Sequence, residues 1–166
     1  NKFLENNHLQ GKVFSKYNIG LFYNNELVSL MTFGKRKISN QSQYELLRFC
    51  NKLDYSITGG ASKLLDYFLK KYNPEKIITY ANLDYSNGNL YEKLGFEYKG
   101  HTGINYWWSK DKRKYHRSKF MKYKLVNEGY DKNKTENQIM NERNYFKIWG
   151  CGHIKYELNL ENKKGS

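Results

Sequence analysis

The chain has 166 residues, 39% of them apolar, and carries a net charge of +13 from 29 Lys and Arg against 16 Asp and Glu. That length suits one domain of ordinary size, and sixteen Tyr, nine Phe and three Trp argue against a disordered chain. No apolar run reaches membrane-spanning length, no signal peptide is visible, and the two cysteines form no CxxC or Cys/His cluster, so neither a membrane span nor a metal site is expected. Two distant cysteines fit a reducing, cytoplasmic setting. The charge points to nucleic acid, because neutralising phosphates relieves self-repulsion. A solubility bias, a membrane-surface habit or an AT-rich base composition would produce a similar excess.

Residues 1–9 read as the end of a short helix. Residues 19–23 and 27–33 are apolar or alternating runs around Asn24-Asn25, a pair that tolerates positive φ in a tight hairpin turn. Residues 35–43 are polar and basic, the composition of an exposed loop. Residues 44–50 have strand propensity. Residues 53–58 lead to Gly59-Gly60, and the helix expected over 61–72 carries Leu64, Leu65, Phe68 and Leu69 on one apolar face. Asn73-Pro74 stops it. Residues 76–81 have the β-branched and aromatic composition of a buried strand. Ser86-Asn87-Gly88 is a turn or cap before a short helix over 89–94, which Gly95 ends. Residues 96–99 and 105–108 follow as strands. Residues 110–124 form a basic stretch, eight Lys and Arg interleaved with Tyr115, His116, Phe120 and Tyr123. A helix is expected over 136–145, and residues 146–149 and 153–158 read as a last hairpin around Gly150-Cys151-Gly152. The order is that of an α/β domain with a mixed central sheet flanked by helices. The reading is a single domain over 1–160, with a basic segment at 110–124 and a C-terminal helix-hairpin at 135–158.

Two segments bear on chemistry. The first is the strand, Gly-Gly-Ala turn and helix. A turn that opens a helix exposes unpaired backbone N–H groups at the positive end of the helix dipole, a geometry that binds phosphate. Glycine at Gly59 and Gly60 lets a ligand approach the main chain closely; a plain turn would read the same. The second is Asn89-Leu90-Tyr91-Glu92-Lys93-Leu94-Gly95-Phe96. This segment resembles the last conserved helix and strand of the GNAT N-acyltransferases. The turn at Gly59-Gly60-Ala61 then falls where that family keeps its pyrophosphate-binding turn. The resemblance implies a GNAT-like fold and acetyl-CoA or a related acyl-CoA as cofactor, held by Thr58, Gly59, Gly60, Ala61, Ser62 and Asn89. It also places Tyr91 where the family often keeps the acid that protonates the leaving thiolate, a task that suits a Tyr pKa near 10. As core residues of a short helix, Leu90, Tyr91 and Leu94 would be equally at home.

Residues 19–125 are also similar to the domain that follows the nuclease part of phage homing-endonuclease-like proteins. The pieces that carry this are Gly20-Leu21-Phe22-Tyr23, Met31-Thr32-Phe33-Gly34, Tyr44-Glu45-Leu46-Leu47-Arg48-Phe49-Cys50 and Gly59-Gly60-Ala61-Ser62-Lys63-Leu64. The tail Ile148-Trp149-Gly150-Cys151-Gly152 resembles that group's closing segment, with Gly150 where an Asp is usual. The same core looks like the phage Mom-type DNA-modification proteins. Both groups usually carry Asp where this chain has Asn82, and Asn is no general base.

Glu45 and Arg48, on one strand, are expected on opposite faces. Glu45 is a candidate base and Arg48 a candidate phosphate partner; an edge-of-core ion pair is the plainer reading. Lys112, Arg113, Lys114, Arg117, Lys119, Lys122 and Lys124 are candidate nucleic-acid contacts, with Tyr or His stacking on bases. If about five of them engage phosphates, the salt slope on duplex DNA is about −4 to −5. Trp107-Trp108 is either core or a stacking platform. No H-N-H, GIY-YIG or D…E-x-K nuclease pattern is visible. The chain opens on Asn rather than Met, so a longer parent with a nuclease domain elsewhere is an expectation, and Gly165-Ser166 reads as an expression scar. The functional expectation is a phage-type, acyl-CoA-dependent or Mom-like transferase acting on DNA. The alternative is a non-catalytic DNA-recognition domain of a homing-endonuclease-like protein, and a third reading is a protein or small-molecule N-acetyltransferase.

Overall fold

The structure, a computed structural model, describes residues 2–36 and 43–160. Most of the loop expected over 35–43, and the expected scar at Gly165-Ser166, lie outside the described residues. Helix α1 (Lys2–Asn7) precedes strands β1 (Tyr17–Tyr23) and β2 (Glu26–Lys35). Their hairpin turn has Asn24 at φ 48° and Asn25 at φ 62°, as the Asn pair implies. Strand β3 (Gln43–Asn51) adds antiparallel to β2. Helix α2 (Gly60–Tyr72) carries the chain back, so that β4 (Lys76–Asn82) lies parallel to β3. Helix α3 (Asn89–Lys93) and β5 (Glu97–His101) follow. Then come β6 (Tyr106–Lys110), β7 (Arg113–His116), a 3-10 turn (Arg117–Phe120), α4 (Lys122–Asn127), α5 (Glu136–Glu142), β8 (Phe146–Trp149) and β9 (His153–Asn159).

The strands form two sheets, a six-stranded one ordered β1-β2-β3-β4-β9-β5 and a three-stranded one ordered β7-β6-β8. The sequence reads as one domain; the structure divides into two compact units, one running to His101 and resuming at Ile154, the other Thr102–His153. The hairpin expected between residues 146–149 and 153–158 does not form, because β8 pairs with β6 while β9 lies between β4 and β5. The burial pattern explains the difference. Strand β9 buries Ile154, Tyr156 and Leu158 in alternation and needs a central place, whereas β8 leaves Phe146, Ile148 and Trp149 exposed.

In the larger unit both sheet faces are covered. Leu64, Leu65 and Phe68 of α2 pack on Met31, Phe33, Tyr44 and Leu46, with Phe33 and Phe68 stacked at 3.6 Å. On the opposite face Leu4 of α1 packs on Leu30 and Cys50. Coverage on both sides is why β2 is buried continuously from Val28 to Phe33. The smaller unit has its own core of Trp108, Phe120, Leu125, Ile139 and Met140. The Trp108 indole and the Tyr106 hydroxyl both donate to Glu136 Oε1, at 3.2 and 2.7 Å. Thr135 and Gln138 close the start of α5 in a reciprocal capping box. The basic stretch at 110–124 is ordered as the end of β6, a turn with Asp111 and Lys112 at positive φ, β7, the 3-10 turn and α4. Among the described residues no helix is long and apolar enough to cross a membrane.

Candidate active site

The central feature of the larger unit is a parting of two parallel neighbours. Strands β3 and β4 pair from Gln43↔Lys76 to Leu46↔Thr79 and no further, although both continue. At the point of parting the buried Thr79 hydroxyl donates to the Leu46 carbonyl at 2.9 Å. One residue later β3 bulges. Its register against β2 passes from Phe33↔Leu46 to Thr32↔Arg48, leaving Leu47 unpaired. An extra residue bends a strand and increases its twist, which carries β3 away from β4.

The bulge also corrects an expectation. Plain alternation puts Glu45 and Arg48 on opposite faces, but they pair with Gly34 and Thr32, two residues apart on β2, and therefore share one face. That is the face covered by α1. Glu45 lies 4.0 Å from the Arg36 guanidinium. Arg48 donates to its own neighbour's carbonyl, Leu47 O, at 2.8 Å, while its Nε is buried without a hydrogen-bond partner among the described residues. Burial lowers the Arg48 pKa, and the nearby Tyr91 and Glu45 oppose that shift.

Beyond the parting lies a cleft of about 290 Å³, walled by Phe49 and Cys50 of β3, Tyr80, Ala81 and Asn82 of β4, Leu90 and Tyr91 of α3, and Asn7 and His8 from the end of α1. Burial and the Arg48 charge hold His8 below the usual imidazole range, so its ring is neutral at neutral pH. Burial pushes the Cys50 thiol up to about 11, so it remains protonated and is not a nucleophile. The Asn82 side chain accepts from the Asp84 N–H at 3.0 Å and so serves the turn that ends β4.

Helix α3 holds Tyr91 by an end structure that explains the sequence motif. The Phe96 N–H donates to Tyr91 O at 3.0 Å and the Gly95 N–H to Glu92 O at 3.0 Å, with Gly95 at φ 83°. This double closure needs a left-handed residue after the helix and is sealed by an apolar contact, here Phe96 edge-on to Tyr91 at 6.0 Å. Tyr156 of β9 backs the same ring at 5.6 Å and donates its hydroxyl to Glu92 at 3.2 Å.

The start of α2 lies at the open end of the parted strands. A Cβ on Gly60 would stand 3.3 Å from Ser29 Oγ, and Ser29 pairs with Asn51, the last residue of β3. It would also stand 2.9 Å from Ile57, so Gly60 is required by close packing. Gly59 is required by its φ of 70°, and the space where its Cβ would point is open. Gly59 at the cap position offers no side-chain cap, so among the described residues no cap side chain takes the first N–H groups of Gly60, Ala61 and Ser62.

Arg48 lies within electrostatic reach of Glu45 and Tyr91, and Tyr91 lines the cleft, whereas Thr58, Gly59, Gly60, Ala61 and Ser62 lie at the start of α2, outside the residues that line it. Thr58, Gly59 and Ser62 are exposed, while Gly60 is buried and Ala61 half-buried. Asn89 is the exposed first residue of α3. Arg48 belongs to the larger unit, whereas the other basic candidates belong to the smaller one: Lys112 in a turn, Arg113 and Lys114 on β7, Arg117 and Lys119 in the 3-10 turn, Lys122 and Lys124 on α4. Two residues of the site escaped the sequence reading. His8 sits in a segment without periodic signal, and Tyr156 alternates with Ile154 and Leu158 as any core residue would.

No family model matches the chain, and no curated protein matches it in sequence. Solved structures do match in fold. A putative acetyltransferase of the GNAT family from Desulfovibrio desulfuricans is 11% identical at a TM-score of 0.51, over 86% of this chain and 67% of its own. A Bacillus subtilis acetyltransferase in complex with CoA is 16% identical at a TM-score of 0.46, over 84% of this chain and 73% of its own. A GNAT family acetyltransferase from Elizabethkingia anophelis with acetyl-CoA bound is 15% identical at a TM-score of 0.45, over 84% and 72%. The first of these, with the mixed sheet and flanking helices described above, makes the fold GNAT-like.

Proposed function

On a GNAT-like fold, we propose that the chain is an acyl-CoA-dependent N-acyltransferase whose acceptor is nucleic acid. One observation carries this reading. The parting of β3 from β4 opens a cleft lined by Tyr91, with the half-buried Arg48 guanidinium close enough to Tyr91 to feel it electrostatically and with a start of α2 that the Gly59 cap position leaves without a side-chain cap. These features fit the group. The N–H groups of Gly60–Ser62 suit a pyrophosphate at the positive end of the α2 dipole, and the open space over Gly59 admits it. Acyl-CoA, when bound, supplies an activated acyl thioester. Tyr91, fixed by its helix-end closure and by Tyr156, holds a proton at its hydroxyl for the departing sulfur. Glu45 is the carboxylate on the same face that can take a proton from the incoming amine, and Arg48 supplies a fixed cation beside it. Holding acceptor and acyl group together in this cleft is the main contribution to rate. The net charge of +13 supports a polyanionic acceptor.

Calorimetry with acetyl-CoA tests the reading, and saturable heat is the expected result. Tyr91→Phe should retain that heat while lowering acetyl transfer by about a hundredfold or more, the ordinary worth of a positioned acid. An absence of heat up to millimolar CoA would remove the reading.

Asn82 favours a second reading. Its side chain accepts from the Asp84 amide, at the position where the resembled phage groups carry an acid. A domain that kept fold and nucleic-acid affinity without Mom-like chemistry, as a recognition part of a homing-endonuclease-like protein, would bind DNA with equal strength before and after Tyr91→Phe and would give no heat with acetyl-CoA.

A further inference from the structure

The smaller unit has one sheet face that its own helices do not use. Helices α4 and α5 and the 3-10 turn pack on the face that carries Trp108. The register sets the opposite face. Trp107 pairs with His116 and with Ile148, and Ser109 pairs with Lys114 and with Phe146, so these six side chains project together. Three of them are apolar and open, Trp107 at 38%, Phe146 at 70% and Ile148 at 37% exposure. Trp107 meets the His116 ring edge-on at 5.1 Å. None of the six is acidic. The unit around them holds twelve Lys and Arg against five Asp and Glu within Thr102–His153.

We propose that this face is a docking surface for single-stranded DNA, with bases stacked on Trp107 and Phe146 and phosphates drawn to Lys114. A duplex presents its phosphates but keeps its bases stacked on one another, so it has no use for open rings on a flat sheet. A single strand offers unstacked bases, whose faces pack on aromatic side chains irrespective of sequence. Charge disfavours the simplest competitor, a second copy of the chain, because two units with this excess of cations would repel. The inference deepens the proposed function by naming the state in which the acceptor is held. It rests on that reading only for the acceptor's nature.

The test is fluorescence anisotropy of a labelled oligothymidine, and of a duplex of the same length, with the whole chain at low salt. The single strand should bind more tightly than the duplex. Trp107→Ala and Phe146→Ala should each weaken single-strand binding by about tenfold, within the range for loss of one stacked base, and leave duplex binding unchanged. Lys114→Gln should flatten the dependence of log affinity on log salt by about 0.7 for a single strand. Phe14→Ala removes an exposed ring of the larger unit and should change neither. Phe146 is open enough that its loss leaves the fold intact, which an unchanged melting temperature would record. Wild-type single-strand affinity in both aromatic variants, or equal affinity for duplex and single strand, would overturn the proposal. Self-association on sedimentation that Trp107→Ala abolishes would assign the face to a second copy instead. An oligouridine bound more than about tenfold tighter would reassign it to RNA, whose 2′-hydroxyl is the distinguishing group. Acetyl-CoA heat is measured on the same samples. Its absence in the wild type removes the transferase reading and leaves this surface standing, whereas retained heat with unchanged oligonucleotide binding removes the surface alone.

Discussion

At Gly88 a Cβ would stand 2.6 Å from the Tyr156 ring, and the residue sits at φ 84°. Gly88→Ala therefore meets both left-handed strain and a displaced tyrosine, and should lower stability by about 2–4 kcal/mol in urea unfolding. Because Tyr156 backs Tyr91, transfer activity should fall with it. A second expectation concerns alkali. Burial raises Cys50 from 9.0 to about 11 and also raises Tyr156 and Tyr106, each of the tyrosines aided by a carboxylate partner. A folded-state pKa above the unfolded one means stability that is present below the unfolded value and lost as pH rises through the folded one. Melting temperature should hold below pH 9 and fall towards pH 11, and Cys50→Ala should flatten the first part of that fall. At this scale the sequence was informative where a residue sets the backbone, as with Gly59 before α2 and Gly95 after α3, both at positive φ. His8 carried no signal, because only the fold brings residue 8 beside Arg48.

The parted strands and the closure of α3 are the elements on which the site depends. Thr79→Val keeps the shape of the side chain and removes the hydroxyl that reaches Leu46 O. The buried carbonyl then loses a partner, at a cost of about 1–3 kcal/mol, and acetyl-CoA affinity should weaken because the apex of the cleft is loosened. Guanidinium unfolding and calorimetry on one sample would check both. Order and kind of elements were largely legible: the Asn24-Asn25 hairpin, the apolar face of α2 and the Gly95 stop all follow from local chemistry. The bulge at Leu47 was not, since Tyr44–Cys50 has the composition of an ordinary strand and only its pairing with β2 reveals the extra residue. The hairpin expected around Gly150-Cys151-Gly152 failed for a related reason. Adjacent strands usually pair, but β5 and β6 were already available as partners for β9 and β8.

For the molecule as a whole, the two units have separate cores, and the larger leaves and resumes at His101 and Ile154, which face one another across the β5–β9 pairing. Replacing residues 102–153 by a tight Asn-Gly turn should leave a cooperatively unfolding protein that binds acetyl-CoA and has lost most of its affinity for oligonucleotides. Circular dichroism, calorimetry and anisotropy would each report on one part of that expectation. The division was illegible in the sequence because no linker, repeat or shift of composition marks residues 102 and 153. Charge alone hinted at it, through the basic run that the smaller unit contains. The parting of β3 from β4 has a further consequence. A sheet is most vulnerable at its margins, where a foreign strand can add itself, and proteins guard margins with charge or irregularity. Here a margin has been opened in the interior of the sheet. The bulge at Leu47 and the cation of Arg48 stand where β3 leaves β4, so the irregularity that parts the strands also guards the opening against another chain.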